Sequence, residues 1–382
     1  MAREEGGRES ASGLSSMLVY HATIIIHDIF RTNVADKNIS DSSSYLDLSP
    51  LYGYSMDMQR KVRDGQFKLG LLKPDTFAED RLLRQPPGVC IVLVMYNRYH
   101  NYAATQLKRI NENGRFSVPA QYEKSELLAI ADSDCVPSGK RTDTFAAGVQ
   151  EYEAAWKEWS QQGQKDKDTK YEAAKDKMTK LLNQVGDADA IKKFGQAHEA
   201  AWNKLDDDLF NTARLITCGV YVNVSIHDYL RALMGFHQYN TNFTLDPRVA
   251  MTDHQNVSRG LGNQVTVEFN LLYRFHCAIS LKDEQYTESF IKEAEKVLNQ
   301  PVTDPKSLSM RQFATLAAAM GQKTTEDPSL QEFGLKNSPT QNFTRNTITG
   351  LFDDQKMIDL LRISMDDPIC ESVLCNLMIR SI

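Results

Sequence analysis

The sequence predicts a mainly α-helical protein, and three observations carry that prediction. Apolar residues recur at helical rather than alternating spacing along most of the chain. Proline-rich breaks at Lys73-Pro74, Pro86-Pro87 and residues 301–305 punctuate those stretches. A length of 382 residues with 41% hydrophobic content is enough to bury a large core.

Residues 17–30 are the most apolar segment and read as the first helix. Helical spacing puts Tyr20, Thr23, His27 and Phe30 along one face and Ile25 and Ile29 on another buried one. His27 is then either a buried group that can move a proton or a hydrogen-bonded core histidine. The stretch DSSSYLDLSPLYG follows, with oxygen donors at alternate positions 43, 45, 47 and 49. Alternation in an extended loop turns side chains to one side. Ser43, Asp47, Ser49 and the Tyr45 carbonyl suit a hard cation such as calcium, and Asp28 can complete the shell from the helix. The spacing is not that of an EF-hand, and the same composition also suits a plain Ser/Asp/Pro turn.

Between residues 139 and 205 the chain becomes charge-dense and poor in Gly and Pro, with Trp156, Trp159, Tyr171, Met178, Leu182, Phe194 and Trp202 spaced among Lys, Glu and Gln. This pattern predicts two or three amphipathic helices, either as a solvated hairpin or as a partner-binding face. Short strands are expected near residues 220–225 and 264–269. In EFNLLYRFHCAIS, read as a helix, Tyr273 and His276 stand three residues apart and share a face. Neutral imidazole is a standard axial haem ligand, and a phenol beside the macrocycle can be oxidised by it. The same spacing also suits a packed aromatic next to a core histidine.

A net charge of −6 argues against nucleic acid as the main partner. No apolar run reaches the length of a bilayer span, since the segment 17–30 is interrupted by His21, His27 and Asp28. The polar start MAREEGGRESASG carries no secretory pattern, so a cytoplasmic chain is expected, with peripheral membrane contact and oligomerisation left open. Cysteines at 90, 135, 218, 277, 370 and 375 show neither metal spacing nor a disulfide framework.

Taken together, the motifs HDIFRTN, YLDLSPLYG, AEDRLLRQPPG, NRYHNYAA, ARLITCGVYVN, LDPR and YRFH, in that order, resemble the animal-type haem peroxidase superfamily. The resemblance is closest to its fungal fatty-acid dioxygenases, the linoleate diol synthase and psi-producing oxygenase group, and covers about residues 13–138 and 206–367. It implies a mainly α, haem peroxidase/cyclooxygenase-like helical domain over residues 1–382, with 139–205 as a charged helical insertion. His276 matches the proximal haem ligand, Tyr273 the radical tyrosine, and His27 the distal histidine. Asp28, Ser43, Tyr45 through its carbonyl, Asp47 and Ser49 match the family's calcium loop. Arg81 falls where peroxidases carry a distal arginine that stabilises charge on a separating peroxide oxygen. Ile26 and Arg84 stand where mammalian relatives carry ester-forming acids, which implies noncovalent haem b. His100 and Asn101 match a helix common to the family and are read as structural. The family pattern also leads to the expectation that the domain is incomplete at both ends.

The activity so implied is haem-dependent dioxygenation of linoleate or a related unsaturated fatty acid by O2, giving a hydroperoxide in oxylipin synthesis. Phe236, Leu271 and Leu272 are expected to line the substrate channel. Competing readings are a simple haem peroxidase, and a truncated inactive haem-binding relative or helical interaction protein.

Overall fold

A computed structural model describes residues 12–33, 35–36, 38–161, 168–236, 265, 268, 278–299, 301, 308–326, 332–336 and 342–370. The architecture is mainly α, as expected; among the described residues there is no strand, only isolated bridges such as Ser15–Pro368, Thr32–Ser40 and Arg63–Leu72. No helix among these residues is long and apolar enough to cross a membrane. The chain divides into two compact units, Met1–Asp64 with Leu72–Ala103 and Arg214–Ile382, and Gly65–Leu71 with Ala104–Ala213.

In the first unit, helix α1 (Ser16–Ile29) is buried on nearly every side. Its Ile24-Ile25-Ile26 run is β-branched and a modest helix former, so tertiary burial rather than propensity holds this helix. No side chain caps its start. Instead Ser16 N–H donates to the Asp367 carbonyl (2.8 Å) and Ser16 Oγ to the Ser364 carbonyl (3.1 Å). Tyr20, one turn on, donates its phenol to Asp283 Oδ1 (2.9 Å). Gly88 makes room for that ring, because a Cβ at 88 would lie 2.0 Å from Tyr20 Cε2.

Short helices α2 (Ser49–Tyr52) and α3 (Met56–Val62) come next, then a 3-10 turn at Asp80–Arg84. The Pro86-Pro87 break starts a helix: Pro87 opens α4 (Pro87–Ile110), where a missing N–H costs nothing. Cys90, Ile91 and Val94 of α4 pack with Phe343, Phe352, Met357 and Leu360. Asp75, fully buried, receives a two-point bond from Arg98 of α4 (2.7 and 2.8 Å) and the Phe352 N–H (2.6 Å).

The second unit contains α5 (Glu126–Asp132), α6 (Asp143–Gln161) and α7 (Thr169–Val185), the last capped by Asp168, which accepts from the N–H groups of Lys170 and Tyr171. Leu128, Ile130, Phe145, Tyr152, Met178 and Leu182 form their shared core, and Trp159 stacks on Tyr171 at 4.3 Å. Their outer faces carry Lys–Glu pairs such as Lys170–Glu158 and Lys177–Glu151, which favour solubility more than stability.

Helix α8 (Ala188–Val224) has 37 residues, running unbroken through position 205. It continues into a π-helical turn, Ser225–Leu230, and a short α9 (Arg231–Leu233). The strand expected at 220–225 is therefore helix. Tyr221, Ser225 and Tyr229 recur every four residues and are all buried, and that period outweighs the β preference of Val222 and Val224. The other expected strand, 264–269, lies mostly outside the described residues. Later helices are α10 (Leu281–Leu298), capped by Ser280; α11 (Met310–Glu326); α12 (Phe333–Lys336); and α13 (Asp354–Asp366), capped by Asp353. Tyr286, Phe290, Ile291 and Ala294 of α10 pack against Leu316 and Met320 of α11.

Candidate functional site

The last turn of α1 concentrates the candidate chemistry. Every residue from 19 to 28 is buried except His27, which is half-buried, so its imidazole alone in that stretch reaches accessible space. Asp28 beside it is fully buried. Its Oδ2 accepts from Leu48 N–H (3.0 Å) and its Oδ1 from Ser49 N–H (2.7 Å), while Ser49 Oγ donates to the Asp28 carbonyl (3.4 Å). The helix end and the loop are thus joined through one carboxylate.

That join constrains the loop backbone. Leu46 (φ 56°) and Leu48 (φ 57°) both adopt the left-handed conformation, which costs about 1–2 kcal/mol each for a residue with a Cβ. Burial raises the Asp28 carboxyl well above its ordinary value, and the charge of Asp47 raises it further. Asp47 Oδ1 and Ser42 Oγ are buried without a hydrogen-bond partner. Asp47 Oδ2 lies 3.8 Å from Arg214, and its carbonyl accepts from Cys218 Sγ (3.3 Å). The structure therefore brings together Asp28, Asp47 and Ser49 of the five expected cation ligands. Ser43 and Tyr45 sit exposed, with Ser43 Oγ accepting from Tyr45 N–H (3.4 Å). Among the described residues no three His, Cys, Asp or Glu side chains converge as a metal cluster. A mixed set of two carboxylates, serine hydroxyls and carbonyls is a different kind of donor set, one that suits calcium.

Arg81 does not stand alone as a solvated arginine. Its Nε and Nη2 form a fork on Glu79 (2.7 and 2.8 Å), and Arg31, just beyond α1, binds the same carboxylate. Burial alone would raise the Glu79 carboxyl; the hydrogen bond and charge of Arg81, then the charges of Arg31 and His27, hold it below its ordinary value. His27 and Arg81 are thus brought to one electrostatic neighbourhood through Glu79, a residue the sequence reading passed over. The only signal available was its place two residues before Arg81.

Behind this region lies a second buried polar group. His21 Nε2 meets Ser225 Oγ (3.1 Å), with the rings of Tyr221 and Tyr229 at 5.6 and 5.8 Å. Burial pushes the His21 pKa down to about 4, so it is a neutral core histidine. Tyr221 OH has no hydrogen-bond partner at ordinary geometry, although Asp28 lies within its electrostatic reach. His100 Nδ1 meets Tyr52 OH (2.9 Å), and Asn101 pairs with both backbone groups of Leu72, so each has a structural role. Ile26 is buried, and Arg84 lies against Gly321 of α11. Phe236 is half-buried. Tyr273, His276, Leu271, Leu272 and Cys277 lie outside the described residues.

No protein-family model matches the chain. Among curated proteins, a bifunctional dioxygenase–epoxy alcohol synthase of Pyricularia oryzae is 34% identical over 366 residues, covering 94% of this chain and 24% of that protein. Psi-producing oxygenase A of Emericella nidulans is 33% identical over 371 residues, 96% of this chain and 26% of its own. Linoleate diol synthase of Gaeumannomyces graminis is 34% identical over 363 residues, 94% of this chain and 24% of its own. This chain is similar to fungal oxygenases. It spans about a quarter of the length of these relatives.

Proposed function

We propose that this chain is an oxygenating portion of a haem-dependent fatty-acid dioxygenase acting on linoleate or a related unsaturated acid. The supporting observation is similarity over almost the whole chain to relatives whose names specify dioxygenase and linoleate chemistry. The geometry at the end of α1 supports the same reading: a half-buried imidazole with access to open space shares an electrostatic neighbourhood with a cationic guanidinium. That donor set fits the distal side of a haem.

In this reading His276 would hold the haem iron, and the macrocycle would be bound without a covalent link. Bound haem supplies a one-electron oxidant when it reduces a hydroperoxide. His27 carries a proton to or from the peroxide, and Arg81 stabilises negative charge there. Tyr273, as a phenoxyl radical, takes a hydrogen atom from an activated methylene of the fatty acid and becomes a phenol again. O2 then adds to the substrate carbon radical, and the resulting peroxyl radical takes the hydrogen atom back from the Tyr273 phenol, giving a hydroperoxide and restoring the phenoxyl radical.

Calcium has a structural place in this scheme. The unpartnered Asp47 Oδ1 and Ser42 Oγ, the buried Asp28 and two left-handed leucines describe a loop that a hard cation would stabilise. Asp28, Asp47 and Ser49 would hold it, joined by Ser43 and the Tyr45 carbonyl. A cation there would cancel the repulsion between the two carboxylates.

The experiment is haem reconstitution followed by O2 uptake with linoleate and mass spectrometry of products. Soret absorbance and hydroperoxide product are expected, with Tyr273→Phe abolishing O2 uptake while leaving the Soret band intact. Peroxidase turnover that survives Tyr273→Phe, with no oxygenated fatty acid from the parent chain, would establish a simple peroxidase. No Soret band would leave a helical interaction protein.

A further inference from the structure

We propose that Glu79 is a positioning residue: it fixes the Arg81 guanidinium on the side of α1 where His27 opens. The inference rests on the reading of that region as the distal side of a haem site, and it adds a residue which neither the motifs nor the relatives' names assign.

Glu79 is anchored before it binds anything. It is 4% exposed, and its N–H donates to the Pro50 carbonyl (3.0 Å) at the end of the Asp28-bound loop. Its side chain caps the following 3-10 turn, Oε1 accepting from Arg81 N–H (3.2 Å). The same oxygen takes Arg81 Nε, and Oε2 takes Arg81 Nη2 and Arg31 Nη1. Two side-chain bonds to one residue leave the Arg81 guanidinium little freedom about its long stem. A guanidinium has five N–H donors, and the fork on Glu79 uses two, so three remain for a ligand. The side chain is 39% exposed, so it is not sealed from solvent. The carboxylate is kept ionised, which makes the fork charge-assisted and strong. With two guanidiniums on one carboxylate, the group still carries net positive charge. Glu79 touches no reacting atom in this scheme; it acts through Arg81 by preorganisation.

The sign of one measurement separates positioning from plain electrostatics. Fluoride binding to ferric haem in the reconstituted full chain, followed by absorbance, reports how well a cationic donor faces the sixth ligand. Glu79→Gln removes a negative charge, which by Coulomb's law alone strengthens anion binding. If Glu79 positions Arg81, the same variant weakens fluoride about tenfold, the loss of one charge-assisted hydrogen bond. Arg81→Ala should weaken it similarly, and Glu79→Gln should then have no further effect in the Arg81→Ala background. Unchanged or tighter fluoride binding in Glu79→Gln, or an equal effect with Arg81 absent, would overturn the proposal. Should Glu79→Gln fail to fold, Glu79→Asp keeps the charge while shortening the reach. Weakened fluoride binding there supports positioning, and full affinity refutes it. A parent chain that gives no Soret band removes the haem reading itself and this inference with it, whereas a Soret band with unchanged fluoride affinity removes the inference alone.

Discussion

Replacing Asp28 with alanine removes the acceptor for two buried backbone N–H groups, those of Leu48 and Ser49. A hydrogen bond to a charged group contributes about 1.5–3 kcal/mol, so the two together set an upper bound of about 6 kcal/mol. Two effects offset that loss. Alanine relieves the burial of a carboxylate that Asp47 repels, and a freed loop lets Leu46 and Leu48 leave the left-handed region. With about 1–2 kcal/mol recoverable at each leucine, a net destabilisation of about 3 kcal/mol is expected. Asp28→Asn keeps one oxygen acceptor but turns an NH2 toward the other N–H, and should cost about half as much. The assay is urea unfolding followed by circular dichroism, repeated with added Ca2+. A cation bound here at a hundred times its Kd adds about 2.7 kcal/mol to the parent chain and nothing to the alanine variant. A loss below about 1 kcal/mol with an unchanged m-value would show that the carboxylate does not hold the loop.

Asp283 should give the fold a measurable pH dependence. Its carboxyl is pushed up to about 7, chiefly by burial, with its bond from Tyr20 opposing the shift and Asp367 adding to it. The folded chain therefore keeps a proton that the unfolded chain releases near pH 4, and this contribution to stability is lost as pH rises from about 4 to about 7. Asp283→Asn should remove that slope, read as the difference between the two thermal-unfolding profiles. His21 acts in the opposite sense, since its depressed pKa means that stability is lost as pH falls from about 6.5 toward 4. Gly88→Ala should cost about 3 kcal/mol by driving Tyr20 off Asp283, and much less in a chain already carrying Tyr20→Ala; additive losses in the double variant would contradict the clash. Asp75→Ala strands Arg98 and the Phe352 N–H, and about 2–3 kcal/mol is expected because Arg98 keeps partial access to water. An unshifted melting curve would rule that out.

What the sequence disclosed and what it hid follow from range. Helix α1 was legible because its apolar residues announce themselves within a dozen positions, and the charged helices α6 and α7 were legible for the same reason. Residues 220–225 misled because β-branched residues dominate a short window, whereas the deciding period runs from Tyr221 to Tyr229. The loop donors were legible by type, yet only Asp47 and Ser49 turn toward Asp28. Two left-handed leucines break the simple alternation from which a common side was inferred. Glu79 was half hidden: Arg81 stands two residues on, but Arg31, which shares the same carboxylate, lies 48 residues away in sequence. The Tyr20–Asp283 bond spans 263 residues, and no local pattern announces such a pair.

Helix α1 resembles a beam gripped at both ends. Its beginning is tied to the Asp367 and Ser364 carbonyls, its far end to the backbone of Leu48 and Ser49. Successive residues on a helix point about 100° apart, so twisting this one by a single register would break both grips together. The compass bearing of the imidazole at 27 is therefore set by the grips at the two ends of the helix as well as by its own surroundings. Damage at Ser16 or Ser49 should misdirect the ring as effectively as damage beside it.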